Sequence, residues 1–77
     1  MNSVSIRLST IADVRDFVNI VAKSDIDVDL QSGRYVVDGK SIMGIFSLDL
    51  SKPIDLNIHE QNNIDSVLET LKPYIVE

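Results

Sequence analysis

Gly39-Lys40-Ser41-Ile42-Met43-Gly44-Ile45-Phe46-Ser47-Leu48 is the stretch on which the fold turns. Residues 41–48 are too few for a standard helix but enough for a turn or two. Ser41 stands where a helix N-cap belongs, its hydroxyl able to accept a backbone N–H of the first turn. A helix this short makes a poor crossover between distant strands. It also cannot bury every one of its apolar side chains. Ile45 and Leu48 are expected in the core, and Ile42, Met43 and Phe46 on the surface.

Upstream of this segment the apolar period changes twice. Val4, Ile6 and Leu8 alternate with Ser3, Ser5 and Arg7, the pattern of a half-buried strand. Ile11, Val14, Phe17, Val18 and Val21 follow at helical spacing and predict one apolar stripe, ending near Lys23. Thr10 with Asp13 three residues on resembles a capping box, Asp replacing the usual Glu. Ile26, Val28 and Leu30 alternate with Asp25, Asp27 and Asp29, which predicts a second strand with one wet face. Gln31 to Arg34 reads as a turn and Tyr35-Val36-Val37 as a short third strand.

Downstream, Pro53 fixes the entry to a strand over Ile54 to Glu60. Gln61-Asn62-Asn63 is expected to be a turn with an Asn cap. Ile64, Val67, Leu68, Leu71 and Ile75 then mark a closing helix, frayed by Pro73. The order is strand, helix, two strands, short helix, strand, helix. Strands of period two have one covered face, so the helices must lie on that face, giving an α+β open-faced β-sandwich with a four-stranded antiparallel sheet. Periodicity alone also permits a ferredoxin-like domain.

Composition sets the outer bounds. Seventy-seven residues suit one domain, 1–77, whose core is small because a chain of this size buries only about 60% of its unfolded surface. The chain has no cysteine, which removes disulfides and thiolate metal sites. A net charge of −5 opposes phosphate backbones and anionic lipid, so neither nucleic acid nor membrane is expected as a direct partner. No apolar run approaches the roughly 20 residues of a membrane span. Without a signal-peptide pattern at residues 1–7, the protein is expected in the cytoplasm.

The run from Lys40 to Ile45, continued by Ser47-Leu48, resembles the regulatory-serine segment of the HPr family, the small phosphocarriers of the bacterial sugar phosphotransferase system. The similarity extends over nearly the whole chain in element order and length, and it selects the HPr-like βαββαβα arrangement over the ferredoxin-like one. From Asp49 on it holds in pattern only, and the loop before the last helix is short. HPr carries phosphate on a histidine in a Gly-[Leu/Ile]-His-x-Arg-Pro motif. The matching stretch here is Ser9-Thr10-Ile11-Ala12-Asp13. The histidine falls on Thr10, the arginine on Ala12 and the proline on Asp13. A threonine phosphoester is too inert to relay a phosphoryl group, and Asp13 adds negative charge where that group would sit. The resemblance therefore implies no catalytic residue, no enzyme and no cofactor or metal.

The regulatory serine of the family falls on Ser41. In Gram-positive relatives a dedicated kinase phosphorylates it, and the product binds a LacI-type catabolite repressor. A phosphate there would be favoured by free N–H groups at a helix start and by the Lys40 cation. The resemblance thus implies a regulatory or adaptor protein acting in carbon catabolite control. Lys40, Ile42, Met43 and Phe46 would form its docking face, and an HPr-type serine kinase, the repressor or phosphotransferase components would be its partners. A serine that is merely an N-cap remains the plain alternative, and with it an HPr-fold binding module or scaffold that has lost both phosphorylation roles. A monomer is expected, with a dimer by exchange of the first strand left open.

Three signals carry less. Asp25, Asp27 and Asp29 match the first ligands of an EF-hand loop, but position six is Leu30 and position twelve Val36, so a wet strand face is the better reading. His59 is the only histidine; it lies on the wet parity of its strand and is expected at the surface, although a carrier using another residue would require it. Arg15 could reach toward Ser41 but is expected to pair with Asp16 or solvent.

Overall fold

The computed structural model describes residues 2–24, 26–59 and 64–76, without the side chains of Asn2 and Ile64. Strand β1 spans Asn2–Ile6, helix α1 Ile11–Ser24, strands β2 and β3 Val28–Ser32 and Tyr35–Asp38, helix α2 Ile42–Phe46, strand β4 Ile54–Ile58 and helix α3 Ile64–Leu71. A 3₁₀ turn at Lys72–Tyr74 leads into strand β5, Ile75–Val76.

The sheet runs β3-β2-β4-β1-β5, with every neighbouring pair antiparallel. Strand β4 enters between β1 and β2, pairing Leu56 with Val4 on one side and with Leu30 on the other. This register puts Val28, Leu30, Ile54, Leu56, Ile58 and Ile6 on one face, all buried. The helices supply Val14, Phe17 and Val21 from α1, Ile45 from α2, and Val67 and Leu71 from α3. A buried side chain of this size stabilises by about 1.5–3 kcal/mol relative to its exposed state, so this one apolar layer carries the fold. The opposite face holds Asp29, Gln31, Asp55 and Asn57 and stays wet. The expected open-faced α+β sandwich is thus present.

Its sheet has five strands, not four. The expected closing helix through Ile75 stops at Leu71. Pro73 stands in the 3₁₀ turn, which redirects the chain rather than fraying the helix. Arg7 N–H then donates to the Tyr74 carbonyl at 2.8 Å, and Ser5 and Ile6 pair with Val76 and Ile75. The last residues cover the β1 edge, a pairing that a two-residue apolar run cannot announce by periodicity. Ile11 is a second departure: it is exposed, and the buried stripe of α1 begins one turn later at Val14. Asp25, Glu60 and the expected turn and cap at Gln61-Asn62-Asn63 lie outside the described residues.

The strand boundaries also shift. The turn expected over Gln31–Arg34 narrows to Gly33-Arg34, with Gly33 at φ +60°, a conformation glycine adopts without Cβ strain. Leu8 is buried although β1 ends at Ile6.

Candidate functional site

Two helix starts hold the residues of interest, and they differ in what their polar groups already do. At α1, Thr10 Oγ1 accepts the Asp13 N–H at 3.0 Å. The Asp13 carboxylate reaches back, its Oδ2 accepting from Thr10 N–H at 3.2 Å and from Ser9 N–H at 3.0 Å. This is a reciprocal capping box. It engages the N–H groups of Ser9, Thr10 and Asp13 and places a carboxylate beside two of them. Tyr74 approaches the same end of the molecule. Burial raises its phenol above the ordinary value, and the charges of Asp16 and Asp13 raise it further. Asp13 and Asp16 thus bring negative charge to the start of α1. Arg7 donates to the Ser51 carbonyl at 3.4 Å, and Arg15 pairs with Asp16 at 3.8 Å with both side chains largely exposed.

At α2 the turn before the helix engages its donors as well, and here the cap is a hydroxyl. Gly39 and Lys40 turn the chain out of β3. Gly39 N–H donates to Val28 C=O at 2.8 Å, Lys40 N–H donates to Asp38 Oδ1 at 2.9 Å, and Ser41 N–H donates to Asp38 C=O at 3.0 Å. Glycine is needed at 39 because a Cβ there would overlap Val28 Cγ2. Ser41, in extended conformation, caps the helix: its Oγ accepts from Gly44 N–H at 3.2 Å. Gly44 lets the short helix lie on β3, since a Cβ would come within 3.2 Å of Val37 Cβ and 3.0 Å of Ser41 Oγ.

Helix α2 divides its apolar residues. Ile45 and, after it, Leu48 are buried. Met43 is 77% exposed, Phe46 38% and Ile42 36%, and Lys40 and Ser41 beside them are exposed as well. Three large apolar side chains on five helical residues form a compact surface patch.

His59 is exposed on the wet face, and the β1–β4 register sets it at the opposite end of the sheet from Thr10: Ile58 pairs with Asn2, whereas Ile54 pairs with Ile6 just before Thr10. Its Nε2 lies 2.7 Å from Asp29 Oδ2. Pairing residues on neighbouring strands in this way requires the register, which places Asn57 opposite Asp29 and so His59 on the diagonal. Among the described residues no group of three or more metal-ligating side chains converges, and no helix is long and apolar enough to cross a membrane.

No family model matches the sequence, and no curated protein matches it. Solved structures do. HPr-C-His from Thermoanaerobacter tengcongensis superposes with a TM-score of 0.77 at 24% identity, covering 95% of this chain and 89% of the other. The fold is that of HPr. A second HPr-fold structure, the phosphocarrier protein HPr from Bacillus anthracis str. Ames, gives a TM-score of 0.67 at 25% identity, covering 97% of this chain and 94% of that one. Within the HPr fold, Thr10 opens the first helix and Ser41 opens the short second one.

Proposed function

We propose that this protein is a regulatory or adaptor member of the phosphotransferase system, built on the HPr fold and without competence as a histidine phosphocarrier. It is a single cytoplasmic domain with no enzymatic activity of its own. It acts by protein–protein contact in carbon catabolite control, with Lys40, Ile42, Met43 and Phe46 as the docking face and Ser41 as a phosphorylation site. The observation that carries this reading is the exposed Ser41 hydroxyl beside an apolar patch of Ile42, Met43 and Phe46. A kinase can reach that hydroxyl, and a change from neutral to dianionic at the patch border would alter which partner it fits. The start of α1 supports the other half of the reading, because Asp13 occupies the N–H donors around Thr10.

Incubating the protein with an HPr-type serine kinase and ATP, with Ser41→Ala in parallel, tests it by intact mass. A single phosphoryl adduct on the wild type and none on the variant is expected. No adduct on the wild type refutes the regulatory role.

A second reading has one observation in its favour. Ser41 Oγ is already engaged as the acceptor for Gly44 N–H, and capping alone accounts for a serine there. On that reading the chain is an HPr-fold binding module that keeps the docking face and has no phosphorylation role. Partner capture by Met43 and Phe46, unchanged in Ser41→Ala, distinguishes it.

A further inference from the structure

The chain contains no cysteine and no tryptophan, so its only sulfur atoms are the thioethers of Met1 and Met43, and these are the groups a mild oxidant attacks first. Met1 lies outside the described residues. Met43 is the second residue of α2 and, at 77%, the most exposed large apolar residue among those described. Ile45 ties α2 to the core, so Met43 carries no packing there. Oxidation of a sulfur side chain follows its exposure. The same sulfur sits inside the apolar patch, between Ile42 and Phe46, and two residues from the Ser41 hydroxyl.

Hydrogen peroxide suffices as the oxidant. A lone pair on Met43 Sδ attacks one peroxide oxygen, and the S–O bond forms as the O–O bond breaks. The departing hydroxide takes the proton of the transferred oxygen and leaves as water. Sulfur gives up two electrons and the peroxide gains them. No other group of the protein takes part.

The product changes the patch and spares the fold. A flexible apolar side chain becomes a polar sulfoxide with an acceptor oxygen. In the free protein that oxygen is hydrated. Covering it strips the water away, which is unfavourable unless a donor replaces it. A partner surface that fits Ile42, Met43 and Phe46 is itself apolar and supplies no donor at that point.

We propose that Met43 is a redox modification site, at which peroxide switches the α2 patch from apolar to polar and lowers its affinity for a docking partner. This rests on the docking role assigned above to Ile42, Met43 and Phe46, and adds a control separate from Ser41. The switch is reversible, because methionine sulfoxide reductases return the thioether.

The test treats the folded wild type and Met43→Leu with hydrogen peroxide, with circular dichroism to verify folding. Peptide mapping by mass places the added oxygen, hydrophobic-interaction chromatography reads the polarity of the folded surface, and an HPr-type serine kinase with ATP is the docking partner. Folded Met43 should take up oxygen about as fast as it does in the urea-unfolded chain. Oxidised wild type should keep its fold, elute earlier than untreated wild type, and accept phosphate on Ser41 with kcat/KM lower by about tenfold. Met43→Leu should elute and react identically before and after treatment, although Met1 is still present in it. The proposal is overturned by a Met43 that resists peroxide only when folded, by loss of the fold on oxidation, by an elution shift that persists in Met43→Leu, or by a kinase indifferent to the sulfoxide. Untreated wild type that accepts no phosphoryl group refutes the function proposed above, a result distinct from all of these; the Met43-dependent elution shift then upholds the switch by its presence and overturns it by its absence.

Discussion

Replacing Gly39 with alanine perturbs the turn that delivers Ser41, and the structure fixes what it should cost. The added Cβ would overlap Val28 Cγ2 and lie 3.0 Å from the Val28 carbonyl oxygen. Gly39 is not in the left-handed region, so the cost is steric, and alanine gains about 0.4–1 kcal/mol from a less flexible unfolded chain. Val28 is buried and paired with Ile58, so its methyl has little room to withdraw. Overpacking of this kind costs about 1–3 kcal/mol. The net loss should be about 1–2 kcal/mol, which for a domain of this size lowers Tm by about 5–15 °C. Thermal and urea unfolding followed by circular dichroism reads it directly, provided the two transitions coincide. A double-mutant cycle with Val28→Ala identifies the cause. Removing the γ-methyls clears the space, so the pair should be more stable than the sum of its singles by about 1 kcal/mol. Gly33→Ala is the control: nothing lies within 4 Å of its would-be Cβ, but its φ of +60° should cost about 1–2 kcal/mol without coupling to Val28. A Gly39→Ala protein melting within about 2 °C of wild type, or a cycle additive to within about 0.3–0.5 kcal/mol, would refute the close-approach argument.

Three further outcomes are expected. Ser41→Ala leaves Gly44 N–H without its acceptor and should lower stability by about 0.5–1 kcal/mol, while Ser41→Asp keeps the cap; equal urea midpoints for the two variants would contradict the capping role. Met43→Lys should change stability by no more than about 0.5 kcal/mol while abolishing capture of any partner on α2, whereas Ile45→Ala should cost about 2–5 kcal/mol; a similar loss in both would mean the patch is core. Tyr74 is neutral in the folded state to a higher pH than in the unfolded chain, so its contribution is complete below the ordinary phenol value and falls away as pH rises through the folded one. Wild type should therefore lose stability relative to Tyr74→Phe on the alkaline side alone, and a parallel pair of stability–pH curves would show that the burial of this phenol has been misread.

Much of the fold was legible because each element obeys a single period. Val14, Phe17 and Val21 lie on one stripe, and Ile54, Leu56 and Ile58 alternate cleanly, so burial follows from spacing. The short segment at Ser41 was legible for another reason: five apolar residues on two turns cannot all be covered, and the exposed ones are Ile42, Met43 and Phe46. What escaped the sequence depends on partners distant in the chain. Ile75 fits a helical stripe as well as a strand until the β1 edge is seen to need covering. The need for glycine at 39 comes from Val28, and the His59–Asp29 pair from a register linking residues thirty apart. Ile11 shows the converse failure, an apolar residue at the right spacing that lies beyond the packed part of its helix.

The two helix starts of this HPr fold engage their backbone donors in different ways. A reactive histidine before α1 would have to remain free, so it could contribute little as a cap. Thr10 and Asp13 satisfy three backbone N–H bonds there instead, and each cap of this type is worth about 1 kcal/mol. Under the function proposed above, an anion brought to this point would meet engaged donors and the Asp13 carboxylate. The start of α2 shows a different balance. Its cap is a neutral hydroxyl on the surface, with the Asp38 carboxylate holding the Lys40 N–H just before it and apolar side chains left in water beside it. Met43, at 77% exposure, adds little to the core, which fits the docking role proposed for it.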